Sequence, residues 1–323
     1  MIIIIDALDE CEASSLTSLA SILQNDVPKL PSSIKFFIMS RQVGFVDRYF
    51  SSPSIQHLTI NIADETNLQD CSSYVRSQLE KLKDAHPRST IQSKNDDFVQ
   101  EIALRVNGLF IWISTIFNYL EQKNADPMVT LGKLLETGAS QKSITAEKKM
   151  DELYTSILER CDWEDDDFIH DYPIVLGAMM ALEQPLLTMA WDSFLSPFLH
   201  STVQCTVTEL SPLLSGIHMP HAPIHILHQS FRDFIVERAV TGQRYKVEME
   251  KDHERIARQC FEIMNVELLN VDGLGWILSL KEKDPLPSIS EGDVSEHLRY
   301  TCRCAHVHAS AVRAPSEELE VSI

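Results

Sequence analysis

The chain predicts an α/β unit of parallel strands followed by a mainly α-helical remainder that carries one β-hairpin. Three observations predict it. An unbroken β-branched run, Ile2-Ile3-Ile4-Ile5, leads into the acids Asp6, Asp9 and Glu10. A second β-rich run, Ile34 to Met39, follows an intervening stretch with apolar residues at helical spacing. Beyond Asn67 the helical spacing dominates until a Pro-containing turn near Pro220 and Pro223.

Four β-branched residues in a row suit a strand covered on both faces, as parallel-sheet strands are. Ligands of open α/β sheets sit beyond the carboxyl ends of such strands. A carboxylate placed there can hold Mg²⁺, directly or through water, beside the phosphates of a nucleotide. The same residues also fit an ordinary core strand running into an acidic helix start, with Asp9 and Glu10 solvated. Ser14 to Leu23 supplies the helix and Ile34 to Met39 the second strand, which makes a βαβ unit. That strand ends in Ser40-Arg41-Gln42. A guanidinium at the sheet's carboxyl edge offers a bidentate fork for phosphate oxygens, and a plain surface arginine is the alternative for Arg41.

Ser54 to Ile62 reads as a last short sheet strand. Asn67 to Leu82 follows as a helix, and Lys83 to Asp97, with Pro87, as mostly loop. Asn95 can cap a helix whose Phe98, Ile102 and Val106 form a stripe ended by Gly108. The next helix, through Leu109, Phe110, Trp112, Ile113, Ile116, Phe117 and Leu120, is apolar on most faces and belongs at the centre of a bundle. Asp126-Pro127 opens another helix, closed near Gly138. Residues 63–142 therefore read as a small helical lid, joined to the next unit by the polar stretch Thr137 to Lys149. Helices over Thr145 to Cys161, Asp167 to Leu182 and Met189 to Phe198, a short one near Val203 to Leu210, and a hairpin from Gly216 to Leu227 give residues 143–245 a winged-helix pattern. Residues 246–323 form a second helical segment.

Composition narrows the function classes. A net charge of −19 opposes a nucleic-acid surface, which needs clustered Lys and Arg. No uncharged apolar run reaches the roughly 18 residues of a membrane span, so no membrane partner is expected. Seven scattered cysteines read as reduced thiols, and with no basic leader before Ile2 the expected compartment is the cytoplasm. His218, His221, His225 and His228 crowd the hairpin without a zinc spacing, and Cys302, Cys304, His306 and His308 alternate in a way that only an extended segment would align. Neither set is expected to hold a metal. Cys11 has no basic neighbour to activate it, and Ser230 lacks a nucleophile-elbow context.

In order along the chain, IIIIDALDEC (2–11), MSRQ (39–42), RVNGLFIWIS (105–114), MDELYTSILERC (150–161), ILHQSFRDFI (226–235) and HLRYTCRCAHV (297–307) resemble the NACHT-type STAND NTPases of fungal NOD-like receptors. The resemblance implies an α/β remnant of a P-loop NTPase sheet, residues 1–62, followed by a mainly α-helical lid, a winged-helix domain and a further helical segment leading toward sensor repeats. It implies that Asp6 is the magnesium-holding acid of the Walker B strand and that Asp9 or Glu10 activates the attacking water. Arg41 matches the sensor arginine, Gly108 and Phe110 lie where a Gly-Leu-Pro-like turn meets the base, with phenylalanine in place of proline, and His228 matches the winged-helix histidine that touches the β-phosphate. Mg²⁺ with ATP or GTP, and homo-oligomers formed through the nucleotide domain, are the implied ligands and partners.

No G-x-x-x-x-G-K-[ST] pattern occurs in the sequence, and Gly is scarce at 10 residues. The backbone nest and lysine that cradle β- and γ-phosphates are therefore missing, and with Met1 abutting the strand a truncated product is expected. Three functions follow as expectations: a signalling fragment of a NACHT-type nucleotide switch that is not catalytic alone, a working ATP or GTP hydrolase once the missing half is supplied, or a nonenzymatic helical adaptor.

Overall fold

The computed structural model describes residues 1–8, 11, 13–41, 55–62, 64–85, 96–106, 108–122, 127–137, 145–217, 219, 222–239, 244–268, 271, 294–316 and 319. They fall into two compact units, Met1–Asn61 and Ile62–Ile323.

In the first unit, β1 (Ile2–Ile5) and β2 (Lys35–Ile38) pair in parallel with Ile2 opposite Lys35 and Ile5 opposite Ile38. Helix α1 (Ala13–Asn25) connects them, giving the βαβ unit expected from the sequence. Alternation along the strands sends Ile5, Phe36 and Ile38 onto Leu16, Ala20 and Leu23 of α1, with Leu8 closing the small core. The opposite face corrects one expectation. Ile2 and Ile4 are 69% and 65% exposed and Phe37 is half-exposed, so the strand is covered on one face, because a single βαβ crossover supplies a single helical layer.

The strand expected at 54–62 is also corrected. Residues 55–62 carry no strand, and Leu58 and Ile60 are exposed. Period-two alternation marks a segment able to join a ladder, but the ladder needs a neighbouring strand with open hydrogen-bonding groups.

The second unit is mainly helical. Helix α2 (Glu65–Ala85) buries Cys71, Val75, Leu79 and Leu82, a spacing of four, four and three that makes one face. Next come α3 (Asp96–Val106), α4 (Phe110–Gln122) and α5 (Pro127–Thr137), with Pro127 at the first turn, where its missing N–H is harmless. The expected central helix is α4, which buries Trp112, Ile113, Ile116, Phe117, Tyr119 and Leu120. Helix α6 (Ala146–Leu158) is capped by Thr145, whose hydroxyl accepts from the Lys148 N–H, and α7 (Asp166–Ala181) by Asp165, which accepts from the Asp167 N–H. Then follow α8 (Thr188–Leu195) and α9 (Val203–Glu209).

The hairpin is an antiparallel pair of β3 (Leu214–Ser215) and β4 (His225–Ile226), extended by a bridge between Leu186 and Ile224. Its paired residues begin two before Gly216, which turns the chain at φ +83°. A short α10 (Gln229–Asp233) runs into a π-helical turn, Phe234–Arg238. Helices α11 (Met249–Glu267) and α12 (Glu296–Ala311) pack on each other, and α11 packs on α7. One continuous apolar core runs from Cys71 on α2 to Ala305 on α12.

Candidate functional site

Two of the sequence-derived residues follow the carboxyl ends of the paired strands β1 and β2. The ladder runs on past the strands, since Met39 donates its N–H to the Ile5 carbonyl at 2.8 Å and Leu8 donates to Met39 at 3.0 Å. Asp6 leaves β1 between these two bonds, and Arg41 leaves two residues beyond Met39, so both emerge at the same edge. Both are exposed. Asp6 accepts the Ala7 N–H on Oδ1 at 2.8 Å. Ala7 itself sits at φ +49°, in the left-handed region that a side chain disfavours. Leu8, almost wholly buried, holds that turn against the core. The chain thus swings Asp6 outward by spending local strain that Leu8 and its bond to Met39 hold in place. Asp9 and Glu10 lie outside the described residues.

Gly108, Phe110 and His228 belong to the second unit. Gly108 is buried at φ +81° just before α4. Asn67 ties it down, its amide donating to the Ile62 carbonyl at 2.6 Å and to the Gly108 carbonyl at 3.0 Å. Phe110 opens α4 partly exposed, with its ring 5.8 Å from that of Tyr74.

His228 is exposed and serves as the N-cap of α10, Nδ1 accepting the Ser230 N–H at 3.1 Å. In the neutral ring the proton then sits on Nε2. The Ser230 hydroxyl lies 2.7 Å from His228 Nδ1 and 2.7 Å from the Tyr154 hydroxyl. Burial, against the Ser230 hydrogen bond, pushes the Tyr154 phenol up to about 12, so it stays protonated. Arg238 forks onto both oxygens of Asp151 at 3.1 Å and donates to the Ser230 carbonyl at 3.0 Å, fixing the cap from behind. Cys302 and Cys304 sit on helical α12, where a spacing of two turns them apart.

Two polar clusters of the second unit were not singled out in the sequence. Asp171 is wholly buried on α7 and accepts from His170, His200 and Ser201. Asp252 of α11, also buried, pairs with Arg255 at 2.5 Å. Asp171 stands among the apolar residues Phe168, Tyr172, Ile174 and Val175 of its helix, and that misfit is the signal a sequence contains for a satisfied buried carboxylate.

The edge carrying Asp6 and Arg41 is also where similarity to known proteins falls. Residues 1–41 match the nephrocystin 3 N-terminal family. The match begins at β1, takes in α1 and β2, and ends on Arg41. No curated protein matches the chain, and no solved structure does. No described helix is long and apolar enough to cross a membrane.

Proposed function

We propose that the chain carries the acid-and-arginine side of a NACHT-type nucleotide switch, in which bound nucleotide controls how the helical unit associates with protein partners or further copies. The observation that supports this is the parallel β1–β2 pair, which delivers Asp6 and Arg41 to one carboxyl edge. Asp6 would hold Mg²⁺ and Arg41 would meet the terminal phosphate, an arrangement suited to neutralising a polyphosphate. Gly108, Phe110 and His228, in the second unit, enter this reading only through the resemblance, as residues for the base and the diphosphate. Exchange of diphosphate for triphosphate would shift the population toward the associating form.

Without a phosphate-cradling loop in the sequence, the chain would bind nucleotide weakly and hydrolyse none by itself. Fluorescent ADP, ATP and GTP titrated with Mg²⁺ onto the chain and onto Asp6→Ala test the assignment. A second reading, a helical interaction module with no nucleotide role, draws on the continuous core of residues 62–323. Nucleotide binding indifferent to Asp6 would favour it.

A further inference from the structure

The start of α7 holds a side-chain cluster that the nucleotide switch does not use. His170, on α7, and His200, between α8 and α9, stack ring on ring with centroids 3.6 Å apart and planes 5° from parallel. Each has a carboxylate at its Nδ1: Asp171 Oδ1 lies 2.8 Å from His170, and Asp167 Oδ1 lies 3.4 Å from His200. Donor atoms of His170, Asp171 and His200 all lie within 4.8 Å of one another.

Asp171 is saturated. Besides His170 it accepts the His200 N–H at 2.9 Å, the Ser201 N–H at 2.9 Å and the Ser201 hydroxyl at 2.6 Å. Its two oxygens thus take four hydrogen bonds, which makes it an anchor with no lone pair left for an ion. A carboxylate that takes the Nδ1–H of an imidazole fixes the tautomer and leaves the Nε2 lone pair outward, the outer-shell arrangement of metal-binding histidines. Both rings are reachable, with side chains 39% and 55% exposed.

Charge favours a cation here. Asp162, Glu164, Asp165, Asp166 and Asp167 precede the pair in one short run. Against them stands the N-terminal end of α7, equivalent to only about half a positive charge. Two imidazoles suit zinc-class ions over Mg²⁺ or Ca²⁺, which take oxygen shells.

We propose that His170 and His200 bind a divalent transition ion of the zinc class through Nε2, with Asp171 and Asp167 as the positioning residues at their Nδ1 atoms and water completing the shell. The stack is the ion-free arrangement. At Zn–N distances of about 2.0–2.1 Å, two nitrogens of a tetrahedral shell stand roughly 3.3 Å apart, so turning each ring about Cβ–Cγ brings stacked rings onto one ion. Binding would clamp the segment around His200 to α7.

Zn²⁺ titrated calorimetrically into the full chain, with Mg²⁺ present throughout, tests this. One site is expected, weakened about tenfold or more in His170→Ala and in His200→Ala and less in Asp167→Asn, with circular dichroism confirming that the variants fold. Co²⁺ in the same site should absorb without a sulfur charge-transfer band. Zinc binding unchanged in the double variant His170→Ala/His200→Ala, a thiolate band in the Co²⁺ spectrum, or no binding at micromolar Zn²⁺ would each overturn the site.

Discussion

Leu8 donates its backbone N–H to the Met39 carbonyl at 3.0 Å, carrying the β1–β2 pairing beyond the ends of both strands. That bond spans the point at which Asp6 leaves the sheet, and it lies two residues before Arg41. Sequence, local structure and site meet here. The β-branched run makes the strand, Leu8 buries itself to turn the chain, and the turn presents the Asp6 carboxylate at the edge where the chain also leaves β2 toward Arg41.

Ala7 sits at φ +49° in that turn. Glycine adopts such a conformation without the Cβ clash, at the expense of a freer unfolded chain. Ala7→Gly is therefore expected to stabilise the Met1–Asn61 unit by about 0.5–1 kcal/mol, the strain relieved being about 1–2 kcal/mol. Hydrogen exchange at the Leu8 and Met39 amides measures it, and slower exchange is the expected outcome.

Gly108 is the opposite case. At φ +81° a Cβ would strike the Ile62 carbonyl and the Asn67 amide, which are backbone and a doubly bonded side chain and cannot step aside. Gly108→Ala should destabilise the second unit by about 2–3 kcal/mol, from the strained φ plus at least one broken hydrogen bond. Urea unfolding of the full chain followed by circular dichroism would register it as a lower midpoint.

Much of this architecture was legible in the sequence. The βαβ unit stood out because the β-branched runs and the helical spacing are local signals, and α4, α6 and α7 followed from apolar stripes bounded by Gly, Pro, Thr or Asp. Residues 55–62 misled, because Leu58, Ile60 and Ile62 alternate as a strand would while strand formation depends on a partner that alternation does not encode. The bare face of Ile2 and Ile4 was missed for a related reason, since an unbroken apolar run is silent on how many helical layers cover it. Asp6 and Arg41 were placed at the carboxyl edge by their position after the β-rich runs, which is where the strand pairing puts them. The cluster around Asp171 joins residues far apart in sequence, such as Asp171 with Ser201, and only the fold brings them together; Asp252 and Arg255 are one helical turn apart, a spacing too common on solvated helix faces to mark a buried pair.

Two buried groups give the second unit an opposed pH response. Burial, reinforced by His253 at 3.0 Å, pulls buried His308 from its ordinary 6.5 down to about 4. Its contribution is complete above pH 6.5 and is lost as the pH falls toward 4, at most about 3 kcal/mol. Burial pushes Asp252 the other way, from 3.8 up to about 7 against the pull of Arg255. The stability tied to its protonated form is complete below 3.8 and fades as the pH rises toward 7, so acidification through that window returns it. Asp252→Asn removes the compensating group. Its unfolding free energy is expected to fall more steeply between pH 6.5 and 4 than that of the parent chain, and equal slopes in urea titrations across that range would refute the pairing.

The Mg²⁺-dependent binding of ADP, ATP and GTP to the purified chain, measured beside Asp6→Ala and Arg41→Ala, tests the central claim most directly. Weak binding that requires Mg²⁺, vanishes in Asp6→Ala and loses about tenfold in Arg41→Ala is the predicted result, each charge-assisted contact being worth roughly 1.5–3 kcal/mol. Binding that ignores both substitutions, or no binding at millimolar nucleotide, would contradict it and leave the helical unit as an interaction module without a nucleotide switch.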